Sequence, residues 1–142
     1  MENKEILISV SILSSDFKNL EKEITSLNFS GIDEFHLDIM DGHFVDNISF
    51  GLPIVNCVRS LTNLPIETHM MVNDPYSLVE SYDKSKVDIF TFHIESKSNV
   101  KNTIDLLKEK KIKIGLALNP DTPITAIEPY ISDLDRVLFM TV

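Results

Sequence analysis

Short β-rich runs alternate with amphipathic helical runs along the chain, and that alternation constrains the fold more than any other feature. Glu5 to Ile12 reads as a buried strand, with Ile6, Leu7, Ile8, Val10 and Ile12 close together. Ser14-Ser15-Asp16 starts a helix in which Phe17, Leu20, Ile24 and Leu27 follow at helical spacing, and Gly31 closes it. Asp33 to Met40 is a second strand, followed by a loop from Asp41 to Gly51. Pro53 then sits in the first turn of a helix carrying Ile54, Val55, Val58 and Leu61. Pro65 to Val72 is a third strand, and Asp74-Pro75 opens a short helix through Leu78, Val79 and Tyr82. Val87 to Ile94 is a fourth strand. The helix from about Asn99 to Lys110 ends in a basic turn that suits its dipole. Ile112 to Leu118 is a fifth strand, Asn119 to Pro123 a turn, Ile124, Ile127 and Tyr130 a short helix, and Asp135 to Val142 a sixth strand. A strand–helix repeat on the order of 25 residues means an α/β fold with a parallel sheet, either open and doubly wound or closed into a barrel. The glycine-rich dinucleotide fingerprint and the Walker loop are both absent, and the chain holds only four glycines, which favours the barrel.

Composition sets the class. The 142 residues suffice for one domain with a real core, spanning 1–142, and the 43% hydrophobic content is that of a soluble globular protein. No apolar run approaches the roughly 20 residues of a membrane span. Met1 to Glu5 lacks the basic-then-apolar layout of a secretory signal. The single cysteine, Cys57, has no internal partner, and a reducing cytoplasm is the expected location. With 22 acids against 13 bases the net charge is −9, which argues against nucleic acid or an anionic membrane as partner. It leaves room for a small phosphorylated substrate, because a local pocket can bind an anion on an acidic protein.

The second strand has an unusual polar face. Phe35, Leu37 and Ile39 fall on one side, while His36, Asp38 and Met40 fall on the other and run straight into the Asp41-Gly42 turn. In a parallel barrel every strand presents its C-terminal end at one rim. That rim would collect Ser11 from the first strand, His36, Asp38 and Met40 from the second, and His69 and Met71 from the third. His93 and Glu95 come from the fourth, Asn119 follows the fifth, and Met140 ends the sixth. Two imidazoles and a carboxylate on adjacent strands make a candidate divalent-metal site. Each residue also has an ordinary reading: a strand histidine is commonly a satisfied core residue, methionines fill core gaps, and Asp-Gly is commonly only a turn. His93 and Glu95 are read as structural.

The segments Ser11-Ile-Leu-Ser-Ser-Asp-Phe17, His36-Leu-Asp-Ile-Met-Asp-Gly-His-Phe-Val-Asp-Asn47, His69-Met-Met-Val72, Asn119-Pro-Asp-Thr-Pro123 and Met140-Thr-Val142 resemble the ribulose-phosphate 3-epimerase family, in order along essentially the whole chain. The resemblance implies a (β/α)8 TIM barrel of the pentose phosphate pathway. Its members interconvert ribulose 5-phosphate and xylulose 5-phosphate by removing the C3 proton, passing through an enediolate and reprotonating the other face. Two acid/base groups are then needed, with a Lewis acid to hold the charge between them. By resemblance His36, Asp38 and His69 are metal ligands, Asp38 is also a catalytic base, and Ser11, His69, Met40, Met71 and Met140 contact substrate. The metal is expected to be zinc, with iron, manganese or cobalt as alternatives. A cytoplasmic homo-oligomer is the expected state.

Three departures accompany the resemblance. Val10 and Asp46 stand where the family usually has proline. A barrel of this kind has eight strands and about 200 or more residues, whereas about six strands are read here. A glycine-rich mobile loop, the second catalytic aspartate, the fourth metal ligand and the phosphate-gripping turns are not recognisable. The expectation is therefore an incomplete barrel, the N-terminal portion of an epimerase, with little or no activity on its own. Either the sequence is a portion of a longer enzyme, or a partner closes the open edge. Allulose 6-phosphate epimerisation and a non-catalytic remnant that binds metal or a partner stand as alternative functions.

Overall fold

The computed structural model describes residues 6–141. Glu5 and Val142, the expected outer limits of the first and last strands, and the Met1 to Glu5 segment lie outside the described residues. Six strands form one sheet: β1 (Ser9–Ser11), β2 (Glu34–Met40), β3 (Ile66–Met71), β4 (Ile89–His93), β5 (Lys113–Leu118) and β6 (Arg136–Phe139). Between them lie helices α1 (Leu20–Asn28), α2 (Leu52–Leu61), α3 (Val79–Lys84) and α4 (Val100–Lys110). Every neighbouring pair is parallel, and strand order in the sheet equals strand order in the sequence. A doubly wound sheet reverses its winding at a switch point; this one never reverses, so the barrel reading holds and the sheet is a curled half-barrel.

The outward faces of the strands and the inward stripes of the helices make the core. Phe35, Leu37, Ile66, Met70, Phe90, Phe92 and Leu116 are buried from the sheet side. Leu20 and Ile24 of α1, Val55 and Val58 of α2, Val79 and Tyr82 of α3, and Ile104 and Leu107 of α4 are buried from the helix side. These pairs lie three or four residues apart, the spacing that lines one helix face.

Three aspartates hold the N-terminal ends of the strands in register. Asp33 accepts from the Ile8 amide at 2.7 Å, Asp88 from Ile66 at 2.8 Å and Asp135 from Ile114 at 2.8 Å. Each aspartate also donates its own amide back to the carbonyl of that same residue. The same two-bond clasp thus joins β2 to β1, β4 to β3 and β6 to β5, at the end of the sheet opposite the candidate site.

Several boundaries differ from expectation, each for a local reason. β1 covers only three residues, and Ile6, Leu7 and Ile8 are exposed rather than buried, because β1 is an edge strand with a neighbour on one side only. α1 ends at Asn28, ahead of Gly31, as the Phe29 and Ser30 amides turn back to Ser26 and Leu27. The last helical run, Ile124–Asp133, is 3-10 and carries Pro129 in its interior, where proline has no amide to give an α-helical ladder.

Candidate active site

The register of β2 on β3 builds the site. Asp38 is level with His69, Met40 with Met71, and His36 with Glu67, so all six share the concave face of the sheet. His69 in turn is level with Thr91 of β4. The inward face of four adjacent strands therefore carries Ser11, then Glu34, His36, Asp38 and Met40, then Glu67, His69 and Met71, then Thr91 and His93.

Asp38 is the hub. Its Oδ1 lies 3.1 Å from His36 Nε2 and 3.0 Å from His69 Nδ1, and its Oδ2 accepts from the Ser11 hydroxyl at 2.7 Å. One donor atom each from His36, Asp38 and His69 lie within 4.8 Å of one another, which is the convergence a single cation needs. The donor set, two imidazole nitrogens and a carboxylate oxygen, suits a divalent ion of the zinc or iron kind. Ser49 supports the same strand end: its hydroxyl donates to the Asp38 carbonyl at 2.5 Å and accepts from the Met40 amide.

Behind the three lies a polar layer that sequence reasoning missed. Glu67, almost fully buried, accepts from His36 Nδ1 at 2.7 Å and from the Thr91 hydroxyl at 2.5 Å. Arg136 on β6 donates to Glu67 at 2.8 Å and reaches both oxygens of Glu34. The signal is present in the sequence, since Glu34 and Glu67 share the period-two phase of His36 and His69. On the other flank His69 Nε2 meets His93 Nε2 at 2.8 Å, and His93 Nδ1 meets Glu95 at 3.1 Å.

These contacts set the protonation of the site. Burial alone would lower the His36 pKa, but hydrogen bonds and charge from Asp38 and Glu67 outweigh it and raise it to about 9. Burial pushes against the Asp38 charge, yet hydrogen bonds from His36, His69 and Ser11 hold its carboxyl far below the ordinary carboxylate range. Glu67 is likewise brought down to about 2, against burial, by His36 and Thr91. Burial, with the charge of His69 nearby, pushes His93 down to about 4. A cation entering between the imidazoles would replace protons there, and its affinity would rise with pH accordingly.

Of the expected substrate contacts, Ser11 spends its hydroxyl proton on Asp38. Met40 and Met71 lie side by side one step beyond Asp38 and His69 toward the strand ends. Met140 follows β6, its amide donating to Leu118, and is not joined to the cluster by any described side-chain contact. The Asp41-Gly42 turn is more than a turn. Asp41 accepts from the amides of His43, Phe44 and Asn73, tying the β2–α2 loop to the β3–α3 loop. Gly42 has φ +71°, the left-handed region that favours glycine; a Cβ there would also stand 2.8 Å from the Ile48 side chain, which is exposed and free to give way. The loop so held lays the Phe44 ring on His93, centroids 4.7 Å apart. No described helix is long and apolar enough to cross a membrane.

Comparison with known proteins follows the same line. A family model described as the ribulose-phosphate 3 epimerase family matches residues 7–142. Ribulose-phosphate 3-epimerase of Bacillus subtilis (strain 168) is 44% identical over 137 residues, which is 96% of this chain and 63% of that protein. Ribulose-phosphate 3-epimerase of Treponema pallidum (strain Nichols) is 38% identical over 98% of this chain and 64% of its own length. The Methanocaldococcus jannaschii protein of the same name is 44% identical over 96% and 58%. The chain thus spans a little under two thirds of the length of these relatives.

Proposed function

The chain belongs to the ribulose-phosphate 3-epimerase family, and from that premise we propose that it supplies the metal-facing strands of a D-ribulose 5-phosphate 3-epimerase. The observation that carries this is the convergence of His36, Asp38 and His69 on one point of the concave face. Residues 1–142 are then one domain, the N-terminal portion of an epimerase-type barrel.

His36 Nε2, Asp38 and His69 Nδ1 would hold the cation, with zinc the first choice and iron, manganese or cobalt the others. When bound, it would act as a Lewis acid that draws charge from the substrate oxygens flanking the acidified C–H bond. Asp38 is the carboxylate of the three-residue cluster, and it takes the C3 proton. Its depressed pKa keeps it ionised at neutral pH; a carboxylate held that low is a weak base, so the proton transfer needs a C–H bond already made acidic. Ser11, donating to Oδ2, fixes the carboxylate plane so that Oδ1 remains between the imidazoles. Met40 and Met71 give the reacting centre a polarizable wall without titrating groups to compete for the proton. Inversion also needs a proton donor on the opposite face. The described residues offer no second carboxylate there, so turnover is assigned to the complete barrel and not to these residues alone. A cytoplasmic, homo-oligomeric enzyme acting on a small phosphorylated ketose completes the proposal; the exposed thiol of Cys57 suits a reducing location.

The test is conversion of D-ribulose 5-phosphate to D-xylulose 5-phosphate by a chimera that joins this chain to the remaining length of the Bacillus subtilis relative, with the 142-residue chain assayed beside it. Metal-dependent turnover by the chimera is expected, with Asp38→Asn lowering it by about 10²–10⁴-fold and the chain alone nearly inactive. Metal-independent turnover, or turnover that ignores Asp38, would overturn the proposal. Allulose 6-phosphate in the same assay decides the sugar length.

A further inference from the structure

We propose that His93 and Glu95 are positioning residues that lock His69 in the tautomer and ring orientation a cation at Nδ1 requires. This rests on the metal-site reading above and adds to it two residues from β4 and its C-terminal end.

One hydrogen-bonded chain runs from Asp38 through His69 and His93 to Glu95. His69 is 2% exposed and His93 1%, so water has almost no access to either ring. Their Nε2 atoms are 2.8 Å apart, a separation that demands one proton between them: two would collide and none would oppose two lone pairs. With a cation on His69 Nδ1, the ring's proton sits on Nε2, and His93 Nε2 must accept it. The proton of His93 is then on Nδ1, where Glu95 Oε2 waits at 3.1 Å. Every donor in the chain meets an acceptor in that direction, and the lone pair of His69 Nδ1 is left facing Asp38 Oδ1 at 3.0 Å, where the cation would stand in place of the proton that joins them in its absence.

The far end is anchored. The other oxygen of Glu95 accepts from the Asn119 amide at 2.9 Å and from the Thr122 hydroxyl, both in the turn after β5. The Phe44 ring covers His93 from the β2–α2 loop, and the His69 and His93 rings lie 27° from parallel with centroids 5.0 Å apart. Two loops, one through Glu95 and one through Phe44, therefore hold a ring that is not itself in the candidate ligand set. The arrangement parallels His36, whose Nδ1 donates directly to Glu67. Both candidate imidazole ligands have a carboxylate behind them, one direct and one through a second imidazole, which is how proteins orient metal-binding histidines and raise their basicity.

The experiment measures Zn2+ affinity of the chain by competition with a chromophoric chelator, together with the His69 tautomer by 15N-detected NMR of the Zn2+-loaded protein. His93→Phe keeps a ring of similar size without the acceptor, Glu95→Ala removes the anchor, and His93→Gln restores an acceptor for His69 Nε2–H. The first two are expected to weaken Zn2+ binding by about 10–100-fold. His93→Gln should remain within a few-fold of wild type, and His69 should carry its proton on Nε2. Circular dichroism checks that each variant is folded. Unchanged affinity in His93→Phe and Glu95→Ala while His36→Ala loses Zn2+ would overturn this inference and leave the metal site standing. Wild-type affinity in His36→Ala as well would overturn the metal site itself, and the role of His93 with it.

Discussion

Arg136 on β6 donates to both carboxylate oxygens of Glu34 on β2, at 2.5 and 2.8 Å. The two strands are separated by three others in the sheet, so this pair measures its curl: only a sheet bent round on itself brings them together. Glu34 and Glu67 are nearly buried and the same guanidinium serves both. Arg136→Met would leave the buried Glu34 carboxylate without its partner and take from Glu67 one of its three. A loss on the order of 3 kcal/mol is expected from urea denaturation, because removing one partner leaves uncompensated buried charge. A change under about 0.5 kcal/mol would mean the curl is held by the backbone ladders alone.

Gly115 is level with Thr91, and a Cβ at this position would stand 1.9 Å from the Thr91 hydroxyl oxygen and 3.0 Å from its Cα. The clash is with backbone as well as side chain, so it cannot be relieved by a rotamer change. Gly115→Ala is expected to destabilise by about 1–3 kcal/mol, the usual range for overpacking. It should also loosen Glu67, which Thr91 holds. Thermal unfolding and Zn2+ titration of this variant should both shift; a normal melting temperature would contradict the close approach of β4 and β5.

The stability of the chain in chelator should peak in pH. His36 is raised from 6.5 to about 9, so its contribution is complete below 6.5 and lost as pH rises through 9. His93 is lowered from 6.5 to about 4, so the folded state favours its neutral form, and its contribution is complete above 6.5 and lost as pH falls through 4. Glu67 is lowered from 4.5 to about 2 and loses its contribution only below 4.5. The maximum is therefore expected near pH 6.5. The alkaline limb should fall by on the order of 2–3 kcal/mol up to pH 9, given 1.36 kcal/mol per pKa unit. Denaturation curves in EDTA across that range check it; His36→Ala should flatten the alkaline limb.

Much of this is legible in the sequence because barrels are written locally. The period-two phase of Phe35, Leu37 and Ile39 against His36, Asp38 and Met40 is enough to sort core from concave face. The same phase carries His69 and Met71. What is not legible depends on register between distant segments. Glu67 and Glu34 read as ordinary strand carboxylates until Arg136, far along the chain, is brought across the sheet to them. His93 and Glu95 read as structural because nothing local reveals that two imidazoles will face each other at 2.8 Å. The clasps of Asp33, Asp88 and Asp135 form a structural repeat without a sequence repeat, since helices and loops of unequal length separate them. Ile6 to Ile8 mislead in the other direction: an apolar run signals a buried strand only when neighbours cover both sides.

The central claim is that His36, Asp38 and His69 converge to bind one divalent cation. Anomalous diffraction from crystals of the chain soaked in Co2+ or Zn2+ tests it most directly. One strong peak is expected on the concave face, bonded to His36 Nε2, the Asp38 carboxylate and His69 Nδ1. No peak there, or a peak elsewhere with Asp38 still hydrogen-bonded to both imidazoles, would contradict it.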